Sequence, residues 1–249
     1  MSIISWRLLV YLTNGNFDAA VGRLRLFALN MIDVIYENEN CIVINKPVGT
    51  PSLSDPSGDA DALTLTAAQL GSELWPVHRL DRTVGGLMVL AKNKKAAATL
   101  SAEVGGHGMV KEYFAVVEGI AEGGTYEDYI YRDARISKAF IVKGERRGAK
   151  HASLDCTPIR TVSTERGERT LLRILLHTGR YHQIRVQLAS RGNSIVGDGK
   201  YGSRDNGAKH PALFSAHLTF TVSGEKITAK SKPDLKIYPW SLFSEEDYE

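Results

Sequence analysis

Val34-Ile35-Tyr36-Glu37-Asn38-Glu39-Asn40-Cys41-Ile42-Val43-Ile44-Asn45 is two short apolar runs around a polar turn. Runs of this length bounded by such a turn read as a β-hairpin. An antiparallel pair at the start of the body is not a βαβ beginning, and the rest of the chain agrees. Lys46-Pro47-Val48-Gly49-Thr50-Pro51 must leave the ladder, because proline lacks the N–H that a ladder needs. Residues 52–62 are rich in Ser, Asp, Gly and Pro and read as a mobile loop. Leu63 to Leu74 has helical spacing of apolar residues, Leu87 to Ala91 is a buried strand, and Lys94 to Val104 is a helix closed by Gly105-Gly106. Lys111 to Glu118 alternates as a strand and stops at Gly119. Further strands are expected at 126–131, 138–143, 151–163, 170–177 and 215–222, with a short helix from Tyr181 to Ser190 capped by Gly192. Strands and helices without strict alternation predict an α+β fold with a mixed, largely antiparallel sheet and flanking helices.

The 249 residues are 43% apolar and 24% charged, with a formal net charge of +3. That balance excludes a disordered chain, a fibre and a disulfide scaffold. No stretch approaches a membrane span of roughly 18–20 apolar residues. Cys41 and Cys156 have no metal-ligand spacing and read as buried thiols in a reducing compartment, the cytoplasm. Residues 1–30 carry Arg7, Arg23 and Arg25 against one acid, Asp18. That bias fits a transit peptide, but Asn14-Gly15-Asn16 interrupts any helix, and a leader or short extension is the expected reading. Residues 31–249 are then one catalytic domain with an acidic C-terminal tail.

The small net charge hides its distribution. Residues 132–150 hold seven bases against two acids, and residues 169–196 hold five arginines and no acid. Compensating acids sit partly in the tail, at Glu245, Glu246, Asp247 and Glu249. A basic face with the acids elsewhere fits a phosphate-bearing partner.

Three stretches carry chemistry. In Pro76-Val77-His78-Arg79-Leu80-Asp81-Arg82-Thr83-Val84-Gly85-Gly86-Leu87 an aspartate lies between two arginines before a strand. Nearby cations favour the charged carboxylate, and such a group can act as nucleophile or base, or be a structural ion pair. In Gly179-Arg180-Tyr181-His182-Gln183-Ile184-Arg185-Val186-Gln187-Leu188 a helix would place Tyr181 and Arg185 on one face, with Leu188 a turn on and His182 and Gln183 pointing elsewhere. Arg185 is then a fixed guanidinium able to pair with a carboxylate from another segment. In Lys111-Glu112-Tyr113 alternation puts Lys111 and Tyr113 on one face, where a ring can stack on a base or simply fill the core. No ligating Cys, Asp or Glu accompanies the histidines, and no metal is expected.

Together these motifs resemble the RluA-type pseudouridine synthases over residues 33–222. Asn45-Lys46-Pro47-Val48-Gly49, His78-Arg79-Leu80-Asp81, Lys111-Glu112-Tyr113 with Val117-Glu118-Gly119, and Gly179 to Arg185 followed by Asn193 to Gly202 stand in the family's order. The resemblance implies a cofactor-free isomerase acting on uridine in ribosomal or transfer RNA, working as a monomer. It implies Asp81 as the catalytic aspartate, Tyr113 stacking on the flipped base, Arg185 pairing with Asp81, and Leu188 packing against the base. His78 and Arg79 would help extrude the base and fill the gap. Arg82, Arg180 and His182 would bind the RNA. Two features depart from the pattern. Val84-Gly85-Gly86 stands where the family usually has Thr-Ser-Gly, which predicts altered loop contacts. Thirty residues do not hold the small N-terminal RNA-binding domain of many members, so the chain resembles the shorter, single-domain ones.

Overall fold

A computed structural model describes residues 31–106 and 108–249. The leader expected over residues 1–30 lies outside them. Among the described residues one sheet of eleven strands dominates. The opening hairpin is present as β1 (Asp33–Glu37) and β2 (Cys41–Lys46). Then follow helix α1 (Ala62–Leu70), β3 (Trp75–Pro76), β4 (Gly85–Ala91) and helix α2 (Lys94–Gly105). The central meander is β5 (Val110–Glu118), β6 (Gly124–Asp133), β7 (Lys138–Val142), β8 (Ala149–Thr164) and β9 (Gly167–Leu176). Helix α3 (Gln183–Ser190) precedes β10 (Leu213–Val222) and β11 (Glu225–Lys230). The spatial order is β1-β2-β4-β10-β5-β9-β8-β6-β7, with β11 on β10 and β3 on β4. The sheet is mixed, as expected: β4 and β10 run parallel, and the other pairs are antiparallel.

The differences from expectation have local causes. Helix α1 stops at Leu70 because Gly71 takes a left-handed cap, with φ of 65°, short of the predicted Leu74. The segment expected to be a mobile loop has no regular structure and is anchored at its two ends. Ser52 Oγ accepts from Leu80 N–H at 3.0 Å and donates to Leu80 C=O at 2.8 Å, and Ala62 N–H donates to Pro51 C=O at 2.8 Å. Pro158 sits inside β8, where the register shifts before Arg160, so the missing N–H falls at a bulge. The acidic C-terminal residues do not hang free. Tyr248 is buried edge-on against Phe114, Asp247 lies 3.5 Å from Arg160, and Arg173 donates to Glu249 C=O at 2.6 Å.

Strand β4 shows why Leu87 to Ala91 reads as a continuous apolar run. Met88 and Leu90 enter the larger core, whereas Leu87, Val89 and Ala91 enter a second core with Ala96 and Leu100 of α2. A strand covered on both faces has no polar alternation. Its start also needs a bare backbone. A Cβ on Gly86 would lie 2.3 Å from Ser215 C=O, and Gly86 has φ of 108°. Glycine there lets β10 approach in the parallel register Phe214–Gly85 and Ser215–Gly86. The order β4-β10-β5-β9 sets Gly86 beside Ser215, Ser215 beside Tyr113 and Tyr113 beside Ile174, so the loop before β4 and the turn after β9 reach Tyr113 from opposite ends of the strands.

Candidate active site

The loop carrying Asp81 is fixed from behind by backbone. Val84 N–H closes a turn onto Asp81 C=O at 3.0 Å, and Gly49 N–H bonds Arg82 C=O at 2.8 Å. Lys46 is fully buried and donates to the carbonyls of Pro47 (2.9 Å), Thr50 (2.7 Å) and Arg82 (3.4 Å). Burial lowers its pKa to about 8, with the Arg82 charge adding to the shift and the Asp81 charge opposing it. The Asn-Lys-Pro motif thus braces the loop.

In front of Asp81 stands Arg185, which comes from α3, 104 positions away. Its Nη1 donates to Asp81 Oδ2 at 3.1 Å. Its Nε and Nη2 grip Asp198 Oδ2 and Oδ1 at 2.7 and 2.8 Å. The side chains of Arg185 and Asp198 are only 6% and 1% exposed. Burial by itself would lower the Arg185 pKa, but the hydrogen bonds and charges of Asp198, and then of Asp81, hold it above its usual value. A bidentate fork at this depth sets the guanidinium plane, and the remaining nitrogen then has one direction to point.

His182 caps α3 in a left-handed conformation, with φ of 53°. The helix therefore begins at Gln183, not at Tyr181. Tyr181 and Arg185 do not share a face. Tyr181 instead stacks on His182 with ring centres 3.8 Å apart, beneath Arg132 at 4.3 Å. His182, expected to point elsewhere, has Nε2 3.6 Å from Asp81 Oδ2. Burial and then the Arg185 charge push its pKa down to about 3, so the ring is neutral and this contact is not an ion pair. The Tyr201 hydroxyl accepts from Ala139 N–H and lies 2.8 Å from His182 Nδ1. Its own proton is then left for Nδ1, which places the imidazole proton on Nε2, toward Asp81.

Tyr113, buried at the centre of the sheet, lines the same cavity of 380 Å³ as Asp81 and Arg185. Burial, reinforced by the Asp81 charge, raises its pKa to about 12, so it stays a neutral phenol. It offers a stacking face, not a standing base. Leu80, Val84, Leu176, Ile184 and Leu213 supply apolar wall. Arg79, Lys111, Arg132 and Arg180 line the same cavity, where Asp81 is the acid. Arg180 lines the wall with its Nε bonded to His151 C=O at 2.7 Å.

Three expected site residues sit differently. Leu188 is fully buried in the main core and is not part of the cavity wall. One turn beyond Arg185, it packs behind the site, and Ile184 and Leu213 face the cavity instead. Arg82 points away to the surface, where it bonds Gly49 C=O, Ser57 and Asp59. His78 lines the cavity, but its Nε2 accepts from Val89 N–H at 3.1 Å. Burial, and then Lys111, push its pKa down to about 4, so it is a neutral, fixed ring and not a free filler for a gap in RNA. Arg79 is exposed and has no side-chain hydrogen bond or ion pair among the described residues. Asp198, Lys111, Arg132 and Tyr181 were not singled out as site residues. Asp198 lies inside the quoted Asn193 to Gly202 string, and an acid thirteen positions after Arg185 was its one signal.

Among the described residues, no group of three or more His, Cys, Asp or Glu side chains is placed to hold a metal ion. No helix there is long and apolar enough to cross a membrane.

Residues 40–190 match the family model described as RNA pseudouridylate synthase. The chain belongs to that family. It is a pseudouridine synthase, and its activity is the isomerisation of uridine to pseudouridine in RNA. The synthase is 32% identical over 223 residues to ribosomal large subunit pseudouridine synthase D of Xanthomonas campestris, covering 80% of this chain and 65% of that one. It is 29% identical to tRNA pseudouridine synthase C of Yersinia pestis, covering 84% and 88%. An uncharacterized RNA pseudouridine synthase of Bacillus subtilis is 31% identical, covering 80% and 68%. The synthase shares its fold with the solved structure of human RNA pseudouridylate synthase domain containing 1, at a TM-score of 0.72 and 20% identity, covering 85% and 87% of the two chains.

Proposed function

We propose that Asp81 is the nucleophile of this isomerisation, that Tyr113 stacks on the flipped uracil, and that Arg185 aims Asp81. The observation that carries this reading is the chain Asp198–Arg185–Asp81, in which a doubly gripped guanidinium spends its last nitrogen on the one acid of the cavity wall. Asp81 attacks the nucleoside at the ribose anomeric carbon or the uracil ring. The glycosidic bond breaks, the base turns within the cavity, a carbon–carbon bond forms between C5 and the anomeric carbon, the bond to Asp81 breaks, and C5 loses its proton while the freed N1 gains one. Nothing is added or removed overall, so the site's tasks are to hold the base and keep water out. The apolar wall serves both. Arg79, Arg132 and Arg180 hold the RNA around the flipped nucleotide, and a neutral His182 turns its N–H toward the nucleophile.

The substrate is structured ribosomal or transfer RNA, as the names of the relatives suggest. Residues 31–249 act as one catalytic unit and as a monomer, since the groups used here come from a single chain. Buried free thiols at Cys41 and Cys156 suit the cytoplasm. Release of tritium from RNA labelled at uridine C5 tests the roles. Wild type releases label, and Asp81→Asn releases none. Full activity in Asp81→Asn would remove the nucleophile assignment. Mapping pseudouridine in RNA from a deletion strain against wild type identifies the target, and sedimentation of the pure protein reads the oligomeric state.

A further inference from the structure

Lys111 is a cation that the reaction, as described, leaves without a task. It is 6% exposed, yet it lines the cavity. Among the described residues its ammonium has no hydrogen-bond or ion-pair partner. Burial alone lowers its pKa, with no acid near enough to oppose it. Lys46, also buried, shows the contrast, because three carbonyls receive its protons. Its stem is packed away, but the ammonium of Lys111 opens onto the cavity, where a ligand's acceptors can replace the water that reaches it.

The position narrows the ligand. Lys111 and Tyr113 share a face of β5, about 6.6 Å apart along the strand at 3.3 Å per residue. With the base on Tyr113, Lys111 lies beyond the ring, beside Leu176 and the turn after β9. Its other neighbours suit an anion. His78 is neutral. Gly179 presents bare backbone, and a Cβ built on it would lie 3.9 Å from Lys111 Nζ. Arg180 follows, with Nε held by His151 C=O and its Nη pair without a protein partner among the described residues.

We propose that Lys111, with Gly179 and Arg180, seats the phosphate that flanks the flipped uridine. The proposal rests on the reading of this cavity as the uridine site. A phosphate supplies the acceptors that Lys111 lacks, and it bridges two strands' ends, β5 and the turn after β9. The seat fixes the nucleotide by its backbone, so the base is free to turn on Tyr113 without losing its anchor. Nucleotides in any sequence carry that phosphate, so the contact contributes affinity without reading the base.

The test titrates the intact protein with uridine, uridine 5′-monophosphate and uridine 3′-monophosphate, followed by NMR. One monophosphate binds about 10- to 100-fold tighter than uridine, the size of a charge-assisted hydrogen bond. The gap closes in Lys111→Met and persists in Lys111→Arg, and inorganic phosphate competes with the monophosphate on wild type. The melting temperature of Lys111→Met is no lower than that of wild type, because the change removes a charge that the protein does not pair. Equal binding of uridine and both monophosphates by wild type overturns the proposal. So does a gap that survives in Lys111→Met. If uridine itself weakens as much as the monophosphate in Lys111→Met, Lys111 holds the base, and the phosphate seat is wrong. If Lys111→Met melts early, phosphate competition on wild type and Lys111→Arg decide the matter, and no competition overturns it. Tritium release by wild type is scored separately, so a synthase that isomerises RNA but ignores the phosphate loses this inference alone.

Discussion

Two arginines flank Asp81, one in the sequence and one in space. Arg82 is its neighbour in the chain, yet its side chain is 42% exposed and turns to Asp55 and Asp59 of the 49–59 loop. Arg185 is 104 residues away, only 6% exposed, and touches Asp81 directly. Both are arginine–carboxylate systems with two acids each. They differ in water. The Arg82 cluster is about half exposed, so its charges are screened, and each can lose a partner cheaply. The Arg185 cluster has been taken out of water, so each member depends on the others. Burial, not proximity in sequence, separates an ion pair that aims a nucleophile from one that trims a surface loop.

The sharpest way to break this contrast is at Asp198. Asp198→Asn takes from Arg185 its buried carboxylate and leaves only the less buried Asp81 to balance it, and removal of one partner from a buried pair costs about 3–5 kcal/mol. The guanidinium also loses its fork, so Asp81 is no longer aimed, and a misplacement of this kind costs about a hundredfold in kcat. Chemical denaturation and tritium release read the two losses. A variant as stable and active as wild type would mean that Asp198 is not what holds Arg185.

That contrast also explains what could be read from residue order alone. The opening hairpin, the buried run of β4 and the strand carrying Tyr113 have strong local patterns, and each stands where it was expected. Asp81, Tyr113 and Arg185 were placed together by a resemblance covering four motifs, and the structure puts them around one cavity. What escaped is what depends on packing. Leu188 and Ile184 are equally apolar and lie on one face of α3, and only how far the cavity extends along that face separates the wall residue from the core residue. Arg82 flanks Asp81 on paper, but the backbone of residue 82 is claimed by Lys46 and Gly49 and its side chain leaves for the surface. Asp198 has no local signal of its own, and its meaning comes from a contact thirteen positions away. The strand β11 was missed because its apolar residues, Ile227 and Ala229, are few and flanked by Lys and Glu.

Acid sharpens the comparison with a smaller effect, because the two sides titrate in different windows. On the buried side His78 and His182 are held neutral, with pKa values lowered to about 4 and about 3 from 6.5. Between these values and 6.5 the unfolded chain binds protons that the folded chain refuses. Stability is therefore full above pH 6.5 and falls as pH drops toward 4, by up to about 3 kcal/mol for a ring shifted this far. On the exposed side Asp55 and Asp59 have lowered pKa values, through hydrogen bonds from Ser57 and Arg82 respectively. Their contribution is present above pH 3.8 and is lost only below it. Denaturant midpoints measured from pH 7 to 4 should fall in wild type and fall less in His78→Gln. An identical slope in that variant would show that His78 is not held neutral.

The smallest effect is expected at Arg82, and it decides whether exposure is the right variable. Arg82→Ala removes the side-chain contacts to Gly49, Ser57 and Asp59 but keeps the backbone carbonyl that Lys46 and Gly49 use. The loop holding Asp81 therefore keeps its brace. The change should cost less than about 1 kcal/mol, and less still as salt rises, because exposed pairs are screened. Tritium release should stay close to wild type. A loss in Arg82→Ala as large as that in Asp198→Asn, unmoved by salt, would mean that the 49–59 loop is coupled to Asp81 through the side chain. The two arginines would then differ in address but not in kind, and the role assigned to burial would fail at the position where it is easiest to measure.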